Sequence, residues 1–168
     1  KPKADILINV AAPHRAYALS KLPVDGVGLA RLEFIITNEV LAHPMAFVEP
    51  EKITDPRIRK KVKELTSEYI SPQDFFIDRI ARAVATIAAS FYPRPVLVRF
   101  SDFKSNEYRN LLAGKFYEPE EENPMIGLRG ASRYYHELYA PAFQLECAAL
   151  KYARDEMGLD NINVMVPF

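Results

Sequence analysis

Cysteine is almost absent from this chain: one, Cys147, stands among 168 residues. A single thiol excludes an internal disulfide and a cysteine zinc cluster, and it fits a reducing compartment. Net charge is absent too, with 22 basic against 22 acidic side chains. That balance argues against a general electrostatic attraction to nucleic acid or to an anionic membrane, although a local positive patch stays compatible with it. No apolar run approaches the ~20 residues needed to cross a bilayer. The opening KPKADILINV lacks the long apolar core and small-residue cleavage site of a secretory signal, so a cytoplasmic location is expected. A Gly-rich phosphate loop of the Rossmann or P-loop kind is also missing.

What is present is an ordinary globular composition, 49% hydrophobic, in a length suited to one domain or a piece of one. Apolar runs at 6–10, 27–36, 96–100 and 162–166 read as strands, each close to turn signals. The second run places Arg31 and Glu33 on the same side if it is extended, although LARLEFIITNEVL also has a helical reading. Between the strands, HRAYALSK (14–21) predicts a short helix. Residues 37–54 carry Pro44 and Pro50 and read as irregular. Asp55-Pro56 is a cap followed by proline at the first helical position, opening a helix to about residue 70. Its basic residues, Arg57 to Lys63, alternate with Ile58, Val62, Leu65 and Ile70, which is an amphipathic surface helix rather than a nucleic-acid arm. Ser71-Pro72 opens the next, with Asp74 at the capping-box position and a core stripe of Phe76, Ile80, Val84, Ile87 and Phe91. Pro141 opens a last helix, ended by Gly158 as its cap. Cys147 lies within it without a basic neighbour, an inert setting.

The stretch 99–133 is the least ordinary part. It follows an apolar strand and runs for more than thirty residues dense in charge, Asn, Gly and Pro. Loops that long in compact domains are functional or disordered. Phe100, Phe103, Tyr108, Leu111, Leu112, Phe116, Tyr117, Met125 and Ile126 supply too much apolar surface for a solvated tail. Arg99, Lys104, Arg109, Arg129 and Arg133 recur through it. Guanidinium groups donate paired hydrogen bonds that suit phosphate and carboxylate, so one reading is a small-anion site at a strand end. The other is a set of ion pairs with Asp102, Glu107 and the Glu120-Glu121-Glu122 run.

Strands alternating with helices, rich in β-branched residues and leucine and lacking clean alternation, call for parallel βα units. The α/β fold class expected is a partial (β/α)8 barrel of about four units. Charged residues at strand ends, Arg31 and Arg99 with Arg129 following, sit where barrel enzymes place chemistry. A whole barrel takes ~250 residues, so residues 1–168 are expected to be half of one.

DGVGLARLEFI (25–35), VLVRFSDFKSNEYRNL (96–111), YEPEEENPMIGLRGASRY (117–134) and NINVMVPF (161–168) together resemble the PEP-utilising enzyme family, in its phosphoenolpyruvate synthase branch. The likeness covers essentially the whole chain and corresponds to the first half of the PEP/pyruvate-binding barrel. Leu32 stands where other branches carry threonine. The resemblance implies pyruvate or phosphoenolpyruvate as ligand, held by Arg31, Arg99 and Arg129, with Lys104, Arg109 and Arg133 in structural ion pairs. It implies a parent reaction in which ATP, pyruvate and water give AMP, phosphoenolpyruvate and phosphate through a phosphohistidine. The magnesium ligands, the phosphohistidine and the cysteine proton donor of that reaction are expected outside these residues. His14, His43 and His136 match no phosphohistidine segment, and Cys147 is not the donor. The implied partners are the remaining domains of the parent enzyme and, through open sheet edges, other copies of the chain. No nucleic acid or membrane partner is expected, and alone the chain is expected to be inactive. The alternative is a non-catalytic, self-associating structural module.

Overall fold

A computed structural model describes residues 3–122 and 127–168. Four parallel strands form one sheet in the order in which the chain supplies them. They are β1 (Leu7–Val10), β2 (Gly26–Arg31), β3 (Val96–Arg99) and β4 (Ile162–Met165). Each neighbour is reached through a helical crossover, as parallel pairing demands. The first crossover holds α1 (Ala16–Leu19). The second holds α2 (Leu32–Ile35), α3 (Pro56–Leu65) and α4 (Pro72–Phe91); the third holds α5 (Ser105–Asn110), α6 (Ala131–Tyr134) and α7 (Ala140–Asp155). Met125 and Ile126, counted above as apolar surface, lie outside the described residues.

The capping chemistry read from the sequence is built as expected. Asp55 accepts from the Arg57 and Ile58 amides at 2.8 and 3.3 Å. Ser71 and Asp74 form a reciprocal capping box at the start of α4. Each satisfies amides that a helix start leaves without intrahelical partners. The stripe Phe76, Ile80, Val84, Ile87 and Phe91 is fully buried. It packs against α7 and β3, and Val10, Val27, Ala30, Val96, Val98 and Ile162 close the core from the strand side.

Four expectations need correction. The second strand ends at Arg31, not Ile36; Leu32 begins α2, which runs on as a π-helical turn through Val40. Leu32, Ile35, Ile36 and Val40 are all buried while Phe34 is 42% exposed. Their spacing is a helical stripe, and packing it overrides the strand preference of Ile35 and Ile36. Residues 37–54, read as irregular, hold that turn and two 3-10 turns, Pro44–Phe47 and Pro50–Lys52. Helix α3 stops at Leu65, so Ile70 falls outside its stripe and is wholly exposed. The outer strands are not buried runs: Ile6, Leu7, Val164 and Val166 are exposed, and among the described residues β1 and β4 each pair on one side.

Candidate functional site

The carboxyl ends of β2 and β3 lie side by side, with Arg31 and Arg99 as register partners. Both project where the ladder stops and the chain turns away. A cleft of about 320 Å³ opens there, lined by Arg31, Glu33, Phe34, Thr37, Arg99, Asp102, Phe103, Lys104, Glu107 and Arg129. All three arginines singled out in the sequence therefore converge on one cleft. Arg129 arrives from the far end of the long stretch. The following Gly130 has φ +65°, and a Cβ there would stand 1.6 Å from the Phe168 carbonyl oxygen. Only glycine fits that approach, and it lets the Ala131 amide donate to Phe168 O at 3.3 Å, tying the loop to the segment after β4.

Inside the cleft two of the arginines are held by carboxylates. Arg129 donates from Nε and Nη2 to the two oxygens of Asp102, each at 3.0 Å. This paired contact holds the Arg129 guanidinium all the more firmly in its charged form. Arg99 donates from Nη2 to Glu33, and its Nη1 lies 3.5 Å from Asp102. Arg31 makes no ion pair among the described residues and lies over the Phe34 ring. Buried Arg99 Nε and Glu33 Oε2 have no hydrogen-bond partner, an unusual condition for buried polar atoms. Four cationic side chains face three carboxylates across this lining. Planar donors so arranged can take a carboxylate or phosphoryl group in paired hydrogen bonds.

The remaining basic residues divide as the ion-pair reading expected for two of them. Arg133 is buried and donates to both oxygens of Glu118 at 2.5 and 2.8 Å. Arg109 donates to the Glu118 carbonyl at 2.8 Å and reaches Glu120 at 3.4 Å. Lys104 instead lines the cleft. Cys147 is exposed rather than packed in the core, and burial of part of its surroundings with the nearby Glu146 charge pushes its thiol up. That is an unreactive setting.

Sequence reasoning missed a buried polar layer beneath the cleft. His43 Nδ1 accepts from the Met45 amide at 3.1 Å, so Nε2 carries the proton and donates to Glu118 Oε1 at 2.9 Å. Glu146 on α7 accepts from the Ser101 amide and hydroxyl and from Tyr139. His43 had a signal in its neighbours, since Val40, Ala42, Met45, Ala46 and Phe47 around it are apolar and buried, but nothing nearby in the sequence names its partner Glu118. Glu146 had a signal: it shares helical spacing with Ala142, Ala149, Leu150 and Ala153, all buried, and a carboxylate on a core stripe needs partners.

Burial holds the His43 imidazole below its ordinary value of 6.5, outweighing the opposing pull of Glu118. Between that lowered value and 6.5 the unfolded chain binds a proton that the folded one refuses. Stability should therefore fall as pH drops below about 6.5. Glu118, held below the usual carboxylate range despite its burial, adds to the loss at lower pH. Glu146, pushed up by burial, acts in the opposite sense. Thermal unfolding followed against pH is the check. A His43→Gln variant should lack the part of the acid limb that starts near 6.5, and an unchanged limb would count against this account.

All 168 residues match the family described as PEP-utilising enzyme, PEP-binding domain. The phosphoenolpyruvate synthase of Synechocystis is 54% identical over 100% of this chain and 21% of its own length. That of Helicobacter pylori is 52% identical over 97% of the chain and 20% of its own. The Escherichia coli synthase is 47% identical with the same coverage. The chain thus spans about a fifth of the length of these curated relatives.

Proposed function

The chain belongs to the PEP-utilising enzyme family, as its PEP-binding domain, and on that premise we propose that its cleft binds pyruvate and phosphoenolpyruvate for a phosphoenolpyruvate synthase. The observation that carries the reading is the convergence of Arg31, Arg99 and Arg129 on one cleft at strand carboxyl ends. That is where βα folds place chemistry. The singly wound parallel order of the sheet supports half of a (β/α)8 barrel, because a doubly wound sheet would reverse its order at a switch point.

The chemistry asked of the arginines is electrostatic. Pyruvate presents a carboxylate, and its enolate oxygen becomes the phosphoryl acceptor. Loss of a C3 proton, to a base that other parts of the protein would supply, puts negative charge on that oxygen. As the O–P bond forms and the donor–P bond breaks, the charge is carried by the equatorial phosphoryl oxygens and the leaving group. Fixed guanidinium groups aimed at those positions stabilise the charge without reorganising. Asp102 and Glu33 hold Arg129 and Arg99 in place beforehand. No group of three or more His, Cys, Asp or Glu side chains that could hold a metal comes together among the described residues. No step is therefore assigned to magnesium here, and nucleotide and phosphohistidine chemistry belong to other parts of a protein of the relatives' length.

In the test, the whole natural protein supplied with ATP, pyruvate and a divalent metal should form phosphoenolpyruvate, AMP and phosphate. The 168-residue chain alone should form none. Saturable turnover by the isolated chain, or no product from the whole protein, would contradict the proposal.

A second reading, self-association, is favoured by the unpaired sides of β1 and β4 and the exposed Leu7 and Val164 on them. Open strand edges recruit other strands. Sedimentation of the isolated chain should show species that grow with concentration. A monomer at every concentration would dismiss this reading.

A further inference from the structure

The sheet ladder on the β4 side of β3 ends at Phe100, whose amide donates to the Met165 carbonyl at 3.1 Å. Ser101 is the next residue, and every polar atom it owns is met by a buried side chain. Its amide donates to Glu146 Oε2 at 3.1 Å and its hydroxyl to Glu146 Oε1 at 2.5 Å. Its carbonyl accepts from the Tyr134 hydroxyl at 2.8 Å. Tyr139 donates to Glu146 Oε1 at 2.6 Å, and the Tyr108 hydroxyl lies 2.9 Å from Ser101 Oγ. Ser101 and Glu146 are fully buried. The residue after Ser101 is Asp102, the carboxylate that grips Arg129 and flanks Arg99.

Resting on the reading of that cleft as a pyruvate and phosphoenolpyruvate site, we propose that Glu146 is a positioning residue. Through Ser101 it sets Asp102 and, through Asp102, the Arg129 and Arg99 guanidinium groups. The alternative use of residue 146, packing α7 on the core, would be served by an apolar side chain like its stripe neighbours Ala142, Ala149 and Leu150. A buried carboxylate carries a desolvation cost that an apolar side chain does not. What the carboxylate adds is two acceptors fixed in space, where the sheet no longer dictates the backbone. Satisfied buried networks of this kind hold one geometry rather than several. Small displacements of binding groups are costly, because ~1 Å of misplacement can lose on the order of a hundredfold in rate.

The experiment uses the whole natural protein and compares Glu146→Ala, Glu146→Gln, Tyr134→Phe and Arg99→Ala. Glutamine can still accept from the Ser101 amide while its NH2 donates to hydroxyls free to rotate, so it preserves the clamp. The Michaelis constant for pyruvate should rise roughly tenfold in Glu146→Ala, and Glu146→Gln should bring it back to within about threefold of normal. Tyr134→Phe, which removes one hydroxyl, should raise it about threefold and carries the test if Glu146→Ala does not fold. A purely structural role would lower turnover per milligram with the folded fraction and leave this constant unmoved. An unchanged constant in Glu146→Ala and Tyr134→Phe, or a glutamine variant as impaired as alanine, overturns the proposal. If Arg99→Ala is impaired while those variants are normal, only the positioning role fails. If Arg99→Ala is normal as well, the reading of the cleft itself has failed.

Discussion

Arg99→Ala and Arg129→Ala, each made in the whole natural protein, are expected to lower kcat/KM for pyruvate by a hundredfold or more while the fold survives. The size follows from the place of these side chains. A charge-assisted donor aimed at developing charge in a closed site is worth roughly 2 to 4 kcal/mol, and each ~1.4 kcal/mol is a factor of ten. Survival of the fold follows from the same place. Both side chains sit in a cleft at the sheet's end, a fifth to a third exposed, and neither belongs to the α4–α7 core. Each removal leaves Asp102 with its other arginine, and the further cost of Arg99→Ala falls on Glu33, which loses its Arg99 partner at the cleft rather than in the α4–α7 core. Arg109, whose partners among the described residues are Glu118 and Glu120 outside the cleft, is the control: Arg109→Ala should keep near-normal kinetics. Steady-state kinetics with circular dichroism on the same samples measures both quantities. Near-normal turnover in both cleft variants would contradict the assignment.

Arg99 was legible because strand ends are, whereas Arg129 was singled out by the family resemblance. An apolar run that stops at an arginine, as Val96 to Arg99 does, announces both the strand and the side chain that leaves its edge. Arg31 was less legible: it stands inside a run that reads as strand to Ile36, and the family resemblance, not the strand pattern, singles it out beside Arg99, its register partner in the sheet. The caps at Asp55 and Ser71 were legible for a similar reason, since each is a local arrangement of three or four neighbouring residues. What failed was the reach of local pattern. Ile35 and Ile36 look like strand, yet only the stripe they share with Leu32 and Val40 decides for helix, and that stripe has meaning only once a core exists to receive it. The mistake also carried a false contact: Glu33 does not stand beside Arg31 on a strand but reaches Arg99 from α2. The buried layer of His43, Glu118 and Arg133 was less legible still. Its members are 75 and 15 residues apart along the chain, so no window of sequence contains the group.

That layer bears the largest expected effect on stability. Arg133 keeps its charge although burial disfavours it, because hydrogen bonds and charge from Glu118 outweigh the loss of water. Its Nε also donates to the Leu128 carbonyl at 2.8 Å, and its guanidinium lies 4.1 Å from the centre of the Tyr108 ring. Among the described residues Glu118 is the one carboxylate paired with it, so Glu118→Ala leaves a guanidinium, about 1% exposed, without that counter-charge. Breaking a buried pair in this way costs roughly 3 to 5 kcal/mol, against a typical whole-domain stability of about 5 to 15. His43 loses its Nε2 acceptor in the same step, which adds an unpaired buried donor. Joint replacement, Glu118→Leu with Arg133→Met, removes both charges, and most of the loss should return because no buried ion is left stranded. Since α6 begins directly after Arg129-Gly130, the damage should be local before it is global. Hydrogen exchange in the whole protein reads it segment by segment. Peptides covering residues 40–48 and 128–140 should lose on the order of a hundredfold protection in Glu118→Ala and regain most of it in the double variant. Protection unchanged in Glu118→Ala, or lower still in the double variant, would mean that the pair does not hold this layer together.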